Sequence, residues 1–201
     1  MNAVLLLSGG MDSASIAFWI RPRLALTVDY GQICAEAELL AASNIARALS
    51  IAHTTLKIDL KTLGAGRMAG TPSPDKAPTP EWWPFRNQLL VTLGAAHAIK
   101  CNADSVLIGT LSTDDAHADG RPEFVHSMDT LLRQQEQSIR LIAPALGLDA
   151  LGLAKRVGAP RSVLAYSHSC HSGNFACGRC RGCTKRSETI RQLGWEASPS
   201  P

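Results

Sequence analysis

A short stretch near the start of the chain constrains the fold more than any other feature. Residues 4–7 are apolar and predict a buried parallel strand, and residues 14–19 predict the beginning of a helix. Two adjacent glycines lie between them, and glycine permits the positive φ angles that a tight strand-to-helix turn requires. The free N–H groups and the dipole of a helix start attract an anion. We therefore predict a phosphate-binding turn, formed by Leu7, Ser8, Gly9, Gly10, Met11, Asp12 and Ser13.

The order of residues in this turn narrows the class of ligand. The turn lacks the lysine and the spacing of a Walker A loop. It resembles the pyrophosphate loop Ser-Gly-Gly-x-Asp-Ser of the N-type ATP pyrophosphatases, in which ATP activates a carboxyl or amide oxygen as an adenylate and pyrophosphate leaves. Asp12 is suited to hold a Mg²⁺ ion that bridges phosphate oxygens. The alternative is a glycine turn that joins a strand to a helix and binds nothing.

Composition limits the other classes of function. The chain has 201 residues, of which 45% are hydrophobic and 18% charged, so we expect a single domain with an appendage. A formal net charge of +3 argues against broad binding to nucleic acid. No apolar run approaches the roughly 20 residues of a membrane span, and the N-terminus lacks the features of a signal peptide. We therefore expect a cytoplasmic protein with neither membrane nor direct nucleic-acid partners.

Apolar runs alternate with helical patterns along the chain. This alternation predicts an α/β fold, namely an open, mainly parallel five-stranded sheet with helices on both faces. The predicted strands are residues 4–7, 24–28, 54–58, 105–108 and 162–165. The predicted helices after the first are residues 35–49, 85–100, 124–137 and 148–157. We expect residues 1–167 to form the ATP pyrophosphatase-like domain, 168–195 a four-cysteine element with a C-terminal helix, and 196–201 a tail.

Polar residues follow three of the predicted strands. Ligands of open parallel sheets bind beyond the carboxyl ends of the strands. We therefore add Asp29, Tyr30, Gly109 and Asp114 to the predicted ATP site.

Residues 64–84 are rich in proline and predict a long loop, which in a compact domain is typically a functional lid. Two alternatives remain for Trp82 and Trp83 near its end. They either cover a planar ligand or attach the loop to the body of the domain.

Cys170, Cys177, Cys180 and Cys183 form a compact quartet that is typical of a metal site. Four thiolates satisfy the closed tetrahedral coordination of a structural Zn²⁺ ion. An iron–sulfur cluster and redox-active or free thiols are the alternatives, although the spacing differs from that of bacterial ferredoxins. Four basic residues lie between these cysteines or just after the last one, and we expect them to offset the negative charge of the centre. They are Arg179, Arg181, Lys185 and Arg186.

Several motifs occur in one order along the chain. They are the pyrophosphate loop, residues 29–32, 84–87 and 119–124, and the four-cysteine box. This order resembles the 7-cyano-7-deazaguanine synthase family. The resemblance implies that 7-carboxy-7-deazaguanine and ammonia are converted to the nitrile, through an adenylated carboxylate and an amide. It also implies ATP, Mg²⁺ and structural Zn²⁺ as cofactors, small-molecule partners, and a homodimer such as the family often forms.

The resemblance assigns roles to four polar residues. Asp12 matches the Mg²⁺ site, and Arg86 matches a basic position that neutralises the departing pyrophosphate. Asp119 and Arg121 match a loop directed towards the deazapurine, where an aspartate accepts from N–H groups and an arginine pairs with a carboxylate. The alternatives are a structural ion pair for Arg86 and a solvated charged turn for Asp119 and Arg121.

Four stretches depart from the family pattern and leave other functions open. Ile33-Cys34 replaces Arg-His, and residues 116–121 replace a longer loop that contains tyrosine. Residues 149–153 replace a polar Lys-x-Glu segment, and His171-Ser172-Gly173 replaces Tyr-Asn-Gly. One alternative is a diverged ligase that adenylates a deazaguanine-type or other carboxylate and joins it to a different amine or stops at the amide. The other is a non-catalytic nucleotide-binding regulator.

Overall fold

The computed structural model describes residues 1–195, and the predicted tail at 196–201 lies outside the described residues. The strands are β1 (Ala3–Leu6), β2 (Leu24–Asp29), β3 (Ala52–Lys57), β4 (Ser105–Leu107) and β5 (Arg140–Ile142). The helices are α1 (Met11–Ile20), α2 (Ala35–Ala48), α3 (Arg86–Lys100), α4 (Pro122–Arg133), α5 (Ala150–Val157), α6 (Arg161–Leu164) and α7 (Arg181–Gln192). Within residues 1–195, none of these helices has the length and apolar character needed to cross a bilayer.

The strands form one parallel sheet in the order β3-β2-β1-β4-β5. Strand β1 lies at its centre, where Val4 pairs with Leu24 of β2 and with Val106 of β4. Successive side chains of a strand point to opposite faces of the sheet. Accordingly, Leu5 packs in a core with α1, α2 and α5, whereas Val4 packs in a second core with α3 and α4. Helices thus cover both faces, which confirms the predicted fold class.

The predicted position of the fifth strand was wrong. Residues 162–165 belong instead to helix α6 and the residue that follows it, and the fifth strand is Arg140–Ile142. Short apolar runs do not distinguish a strand from a buried helix. Pro160 lies at the N-cap of α6, where its fixed φ suits a helix start, and Val163 and Leu164 are buried in the core beside α1.

Two helices differ from their predicted bounds for visible local reasons. Helix α4 ends at Arg133 rather than at 137, and Gln137 has a φ of 64°, outside the helical range. Helix α5 begins at Ala150 rather than at 148, because the Asp149 carboxylate accepts a hydrogen bond of 2.6 Å from the Gly152 N–H and caps the helix.

Candidate nucleotide site and cysteine cluster

The glycine turn joins β1 to α1 as predicted, but its first glycine serves packing. Gly9 has a φ of +79°, and a Cβ atom there would lie 2.7 Å from the Glu38 carbonyl oxygen and 2.9 Å from the Ala41 Cβ. Helix α2 therefore contacts the turn directly, which only glycine permits. Gly10 is the N-cap of α1, and the Ser13 hydroxyl donates to its carbonyl oxygen at 3.1 Å.

A cavity of about 300 Å³ lies at the carboxyl edge of the sheet, beside this turn. Parallel α/β sheets bind their ligands at this edge. Ten of the residues predicted as functional line it: Leu7, Ser8, Gly10, Met11, Asp12, Ser13, Tyr30, Arg86, Gly109 and Asp114. The fold thus brings most of the predicted ATP site together, while the roles predicted for these residues stay predictions.

Four predicted residues, Gly9, Asp29, Asp119 and Arg121, are not among those that line the cavity. Gly9 faces α2, as described above. The Asp29 carboxylate accepts a hydrogen bond of 3.1 Å from the Gly31 N–H and lies 3.8 Å from the Lys57 ammonium. Asp29 therefore fixes the turn after β2.

Asp119 and Arg121 hold the loop between β4 and α4. The Asp119 carboxylate accepts a hydrogen bond from the Asn87 backbone N–H at 3.3 Å. The backbone carbonyl oxygen of Asp119 accepts another from the Asn87 side-chain amide at 3.1 Å. Arg121 is exposed and donates through Nε to the Asp115 carbonyl oxygen at 3.0 Å. In this conformation both residues stabilise the loop beside the cavity.

Arg86 is the first residue of α3 and lines the cavity beside Tyr30. Burial by itself lowers the pKa of the guanidinium, but Tyr30 and Asp119 oppose this effect, and the net direction is upward. Arg86 therefore stays cationic at neutral pH and can attract an anion into the cavity. Tyr30 in turn packs edge-on against Trp83, with ring centroids 4.9 Å apart.

Trp83 attaches the proline-rich loop to the body of the domain. Its side chain is 2% exposed and is part of the core beside α3. For Trp83, this is the second of the two alternatives. The residues just before the tryptophans reach the cavity, which is lined by Thr79 and by the buried carboxylate of Glu81.

Glu38 is a partly buried carboxylate of the cavity that the sequence did not reveal. It accepts hydrogen bonds from the Gln32 amide at 2.8 Å and the Cys34 thiol at 3.3 Å. Burial is the main cause that raises the pKa of this carboxyl. A glutamate inside an Ala/Leu/Glu-rich helix gives no signal in the sequence, because such residues normally face solvent.

Three histidines, His117, His168 and His171, also line the cavity without having been predicted as site residues. His117 lies in the polar loop after β4, and burial, followed by the charge of Arg86, lowers its pKa. His171 follows the first cysteine of the quartet. Their positions in loops next to predicted motifs were the available signal.

Lys185 of α7 lies between two carboxylates of the cavity. Its ammonium is 2.9 Å from Asp12 Oδ2 and 3.6 Å from Asp114 Oδ1. Burial raises the pKa of the Asp12 carboxyl, and Lys185 opposes this effect. The expectation that Lys185 offsets the charge of the cysteine centre therefore needs correction, because its ion-pair partners line the cavity. Arg181 likewise lines the cavity and donates to the Thr113 carbonyl oxygen at 2.8 Å.

The cysteine quartet forms a compact cluster. The four Sγ atoms of Cys170, Cys177, Cys180 and Cys183 lie within 4.8 Å of one another. Backbone N–H groups point at several of them, and those of Arg179 and Cys180 lower the pKa of the Cys177 thiol to about 6. Four converging sulfurs with N–H donors are a donor set that suits a metal ion.

The cysteine element packs over the carboxyl edge of the sheet. The His168 N–H donates to the Gly9 carbonyl oxygen at 2.9 Å. The Asn174 side chain accepts from the Ala37 N–H at 3.2 Å and donates to Glu36 at 3.0 Å. The element is thus connected both to the glycine turn and to α2.

Solved structures of other proteins share the fold of this chain. The U34-tRNA thiolase NcsA from Methanococcus maripaludis, solved with its [4Fe-4S] cluster, superimposes with a TM-score of 0.52 at 17% identity over 96% of this chain and 64% of that one. NMN synthetase from Francisella tularensis gives a TM-score of 0.52 at 19% identity over 98% of this chain and 79% of that one. Both similarities show that the chain shares the fold of these two proteins.

The family follows from the sequence comparison. The chain belongs to the family of queuosine biosynthesis protein QueC, whose model matches residues 2–194. It is 29% identical to the 7-cyano-7-deazaguanine synthase of Nitrosospira multiformis, over 100% of this chain and 93% of the relative. It is 34% identical to that of Methanospirillum hungatei, over 96% of each chain. The predicted family is therefore confirmed.

Proposed function

We propose that the chain is an ATP-dependent carbon–nitrogen ligase that converts 7-carboxy-7-deazaguanine and ammonia to 7-cyano-7-deazaguanine. The single observation that carries this proposal is the cavity, which joins the pyrophosphate turn to the partly buried cation Arg86. Relatives of similar length bear the name of this synthase, which supports the same activity here.

The phosphate side of the cavity fits a nucleotide with a divalent cation. Ser8, Gly10 and Ser13 present hydroxyl and N–H groups at the start of α1, where the helix dipole favours an anion. Asp12 and Asp114 would hold Mg²⁺, since carboxylate oxygens are the ligands that it prefers. When bound, Mg²⁺ neutralises phosphate charge. Arg86 compensates the negative charge that grows on the departing pyrophosphate.

The proposed reaction balances through two activations. The substrate carboxylate attacks the α-phosphorus of ATP and pyrophosphate leaves, and ammonia then displaces AMP to form the amide. The amide oxygen attacks a second ATP in the same way, and loss of AMP and of protons from the nitrogen gives the nitrile. The residues of this chain are proposed to act by positioning and charge compensation, because ammonia itself is the nucleophile.

For the cysteine cluster we propose a structural Zn²⁺ ion. Tetrahedral Zn–S bonds of about 2.3 Å place sulfurs roughly 3.8 Å apart, and a spacing of this order agrees with the 4.8 Å limit of the quartet. A [4Fe-4S] cluster separates its thiolates further because iron atoms lie between them, so the compact quartet favours the single ion. We also propose that residues 1–167 and 168–195 are distinct units, and that the protein forms a homodimer.

Incubation with ATP, Mg²⁺, 7-carboxy-7-deazaguanine and ammonia tests the proposal, with the products identified by mass spectrometry. We expect the nitrile, with two molecules of AMP for each molecule of product. A second reaction in which a primary amine replaces ammonia provides the matched comparison.

The other outcomes separate the remaining functions. Amide alone, or a conjugate with the added amine, contradicts the nitrile product and favours a diverged ligase. ATP binding without AMP release contradicts ligase activity altogether and favours a nucleotide-binding regulator.

A further inference from the structure

Lys185 occupies an unusual position for a residue of the cysteine element. Its ammonium lies 2.9 Å from Asp12 and 3.6 Å from Asp114, and its side chain is 30% exposed. Asp12 and Asp114 are the two carboxylates that we propose as Mg²⁺ ligands. A lysine ammonium therefore lies where a divalent cation is expected.

The other cations on this side of α7 have different partners. Arg181 donates to the Thr113 carbonyl oxygen at 2.8 Å, and Arg186 donates to the Ser167 hydroxyl at 3.2 Å. Both hydrogen bonds attach α7 to neighbouring loops. Lys185, by contrast, forms ion pairs with two partly exposed side-chain carboxylates. Its flexible four-carbon stem lets the ammonium change partners inside the cavity.

We propose that Lys185 is an internal cation of the nucleotide site with two alternating partners. In the nucleotide-free protein it neutralises Asp12 and Asp114 and competes with a divalent cation. Once the cation occupies the carboxylates, charge repulsion displaces the ammonium, which then pairs with the pyrophosphate moiety of the nucleotide. This inference rests on the proposed function and deepens it, since the cysteine element then contributes a phosphate-binding residue.

Two binding measurements on Lys185→Met test the proposal, because they are expected to change in opposite directions. Without added divalent cations, pyrophosphate should bind about ten-fold more weakly, since the variant loses a cation and exposes two carboxylates. Without nucleotide, Mn²⁺ should bind several-fold more tightly, since its competitor is removed. Calorimetry measures the first affinity, and electron paramagnetic resonance of Mn²⁺ measures the second.

Two further variants serve as controls. Lys155→Met removes the same charge from the exposed side of α5, outside the cavity, and should change neither affinity. Lys185→Arg retains a cation at the site and should keep pyrophosphate affinity within about three-fold of the wild-type value. Metal content and melting temperature are recorded for every variant.

Unchanged affinities in Lys185→Met, or two changes in the same direction, would overturn the proposal. Loss of the cysteine-bound metal or of folding in that variant would assign the lysine a structural role and also overturn it. A wild-type protein that binds pyrophosphate but converts no acid would contradict the proposed function and leave this inference intact. A wild-type protein that binds no pyrophosphate would contradict both.

Discussion

At the scale of single residues, Asp12 shows how several charges decide the state of one carboxylate. Desolvation raises its pKa, while the ammonium of Lys185 favours the ionised form. Asp114 is a second carboxylate near the same ammonium, and its negative charge raises the pKa of Asp12. A cation between the two carboxylates compensates the negative charge of both, whether it is the lysine ammonium or a metal ion.

Asp12→Asn tests the proposed cation site. We expect AMP formation from ATP and the acid substrate to fall about 100-fold or more, because an amide is a poor ligand for Mg²⁺ and does not compensate a positive charge. The free energy of unfolding should change by no more than about 1 kcal/mol, since the ion pair with Lys185 is partly exposed. Chromatography of AMP and a urea titration measure the two quantities.

Asp115→Asn is the matched control, because Asp115 is exposed and does not line the cavity. It should retain full AMP formation. An Asp12→Asn protein with undiminished AMP release would show that the metal role is misassigned.

At the scale of elements, the edge strand β5 depends on a side chain of α4. Strand β5 pairs with β4 on one side, and on the other side the Asp129 carboxylate accepts from the Leu141 N–H at 2.8 Å. Asp129 also pairs with Arg133 at 3.0 Å. An edge strand of three residues is thus stabilised by a hydrogen bond from outside the sheet.

Asp129→Ala should destabilise the protein by about 1–3 kcal/mol, because the Leu141 N–H then has no acceptor in a partly buried place. Arg133→Ala removes the ion pair alone and should cost less than about 0.5 kcal/mol. Chemical denaturation measures both changes. Equal effects of the two substitutions would contradict the role assigned to the hydrogen bond.

At the scale of the whole molecule, the cysteine element and the cavity beside the glycine turn share a boundary. His168 donates to Gly9 of the glycine turn, and Lys185 of α7 reaches Asp12. Near the cysteines, a Cβ atom on Gly182 would lie 1.8 Å from the Ser169 carbonyl oxygen, so α7 begins in close contact with the chain before it. A metal that fixes the cysteines therefore also fixes one wall of the cavity.

Cys177→Ser should lose the bound metal and lower the melting temperature by about 10 °C or more, because metal binding contributes directly to folding. Pyrophosphate affinity should fall about ten-fold in the same protein, since α7 is no longer held against the cavity. Metal analysis, thermal unfolding and calorimetry provide the three readouts.

Cys101→Ser is the control, since Cys101 lies outside the quartet. It should retain the metal and the pyrophosphate affinity. Stoichiometric zinc with an unchanged melting curve in Cys177→Ser would contradict the structural role of the metal.

The parts of this protein that the sequence determined are local. The turn between β1 and α1 and the cysteine quartet each consist of residues a few positions apart, so strand pattern, glycine conformation and ligand spacing were sufficient to predict them. The tertiary structure decided the contacts between distant segments. Asp12 and Lys185 are 173 positions apart, and Glu38 reaches the cavity from within a helix. Such contacts depend on how whole elements pack, and no local pattern encodes the direction in which a single side chain then points.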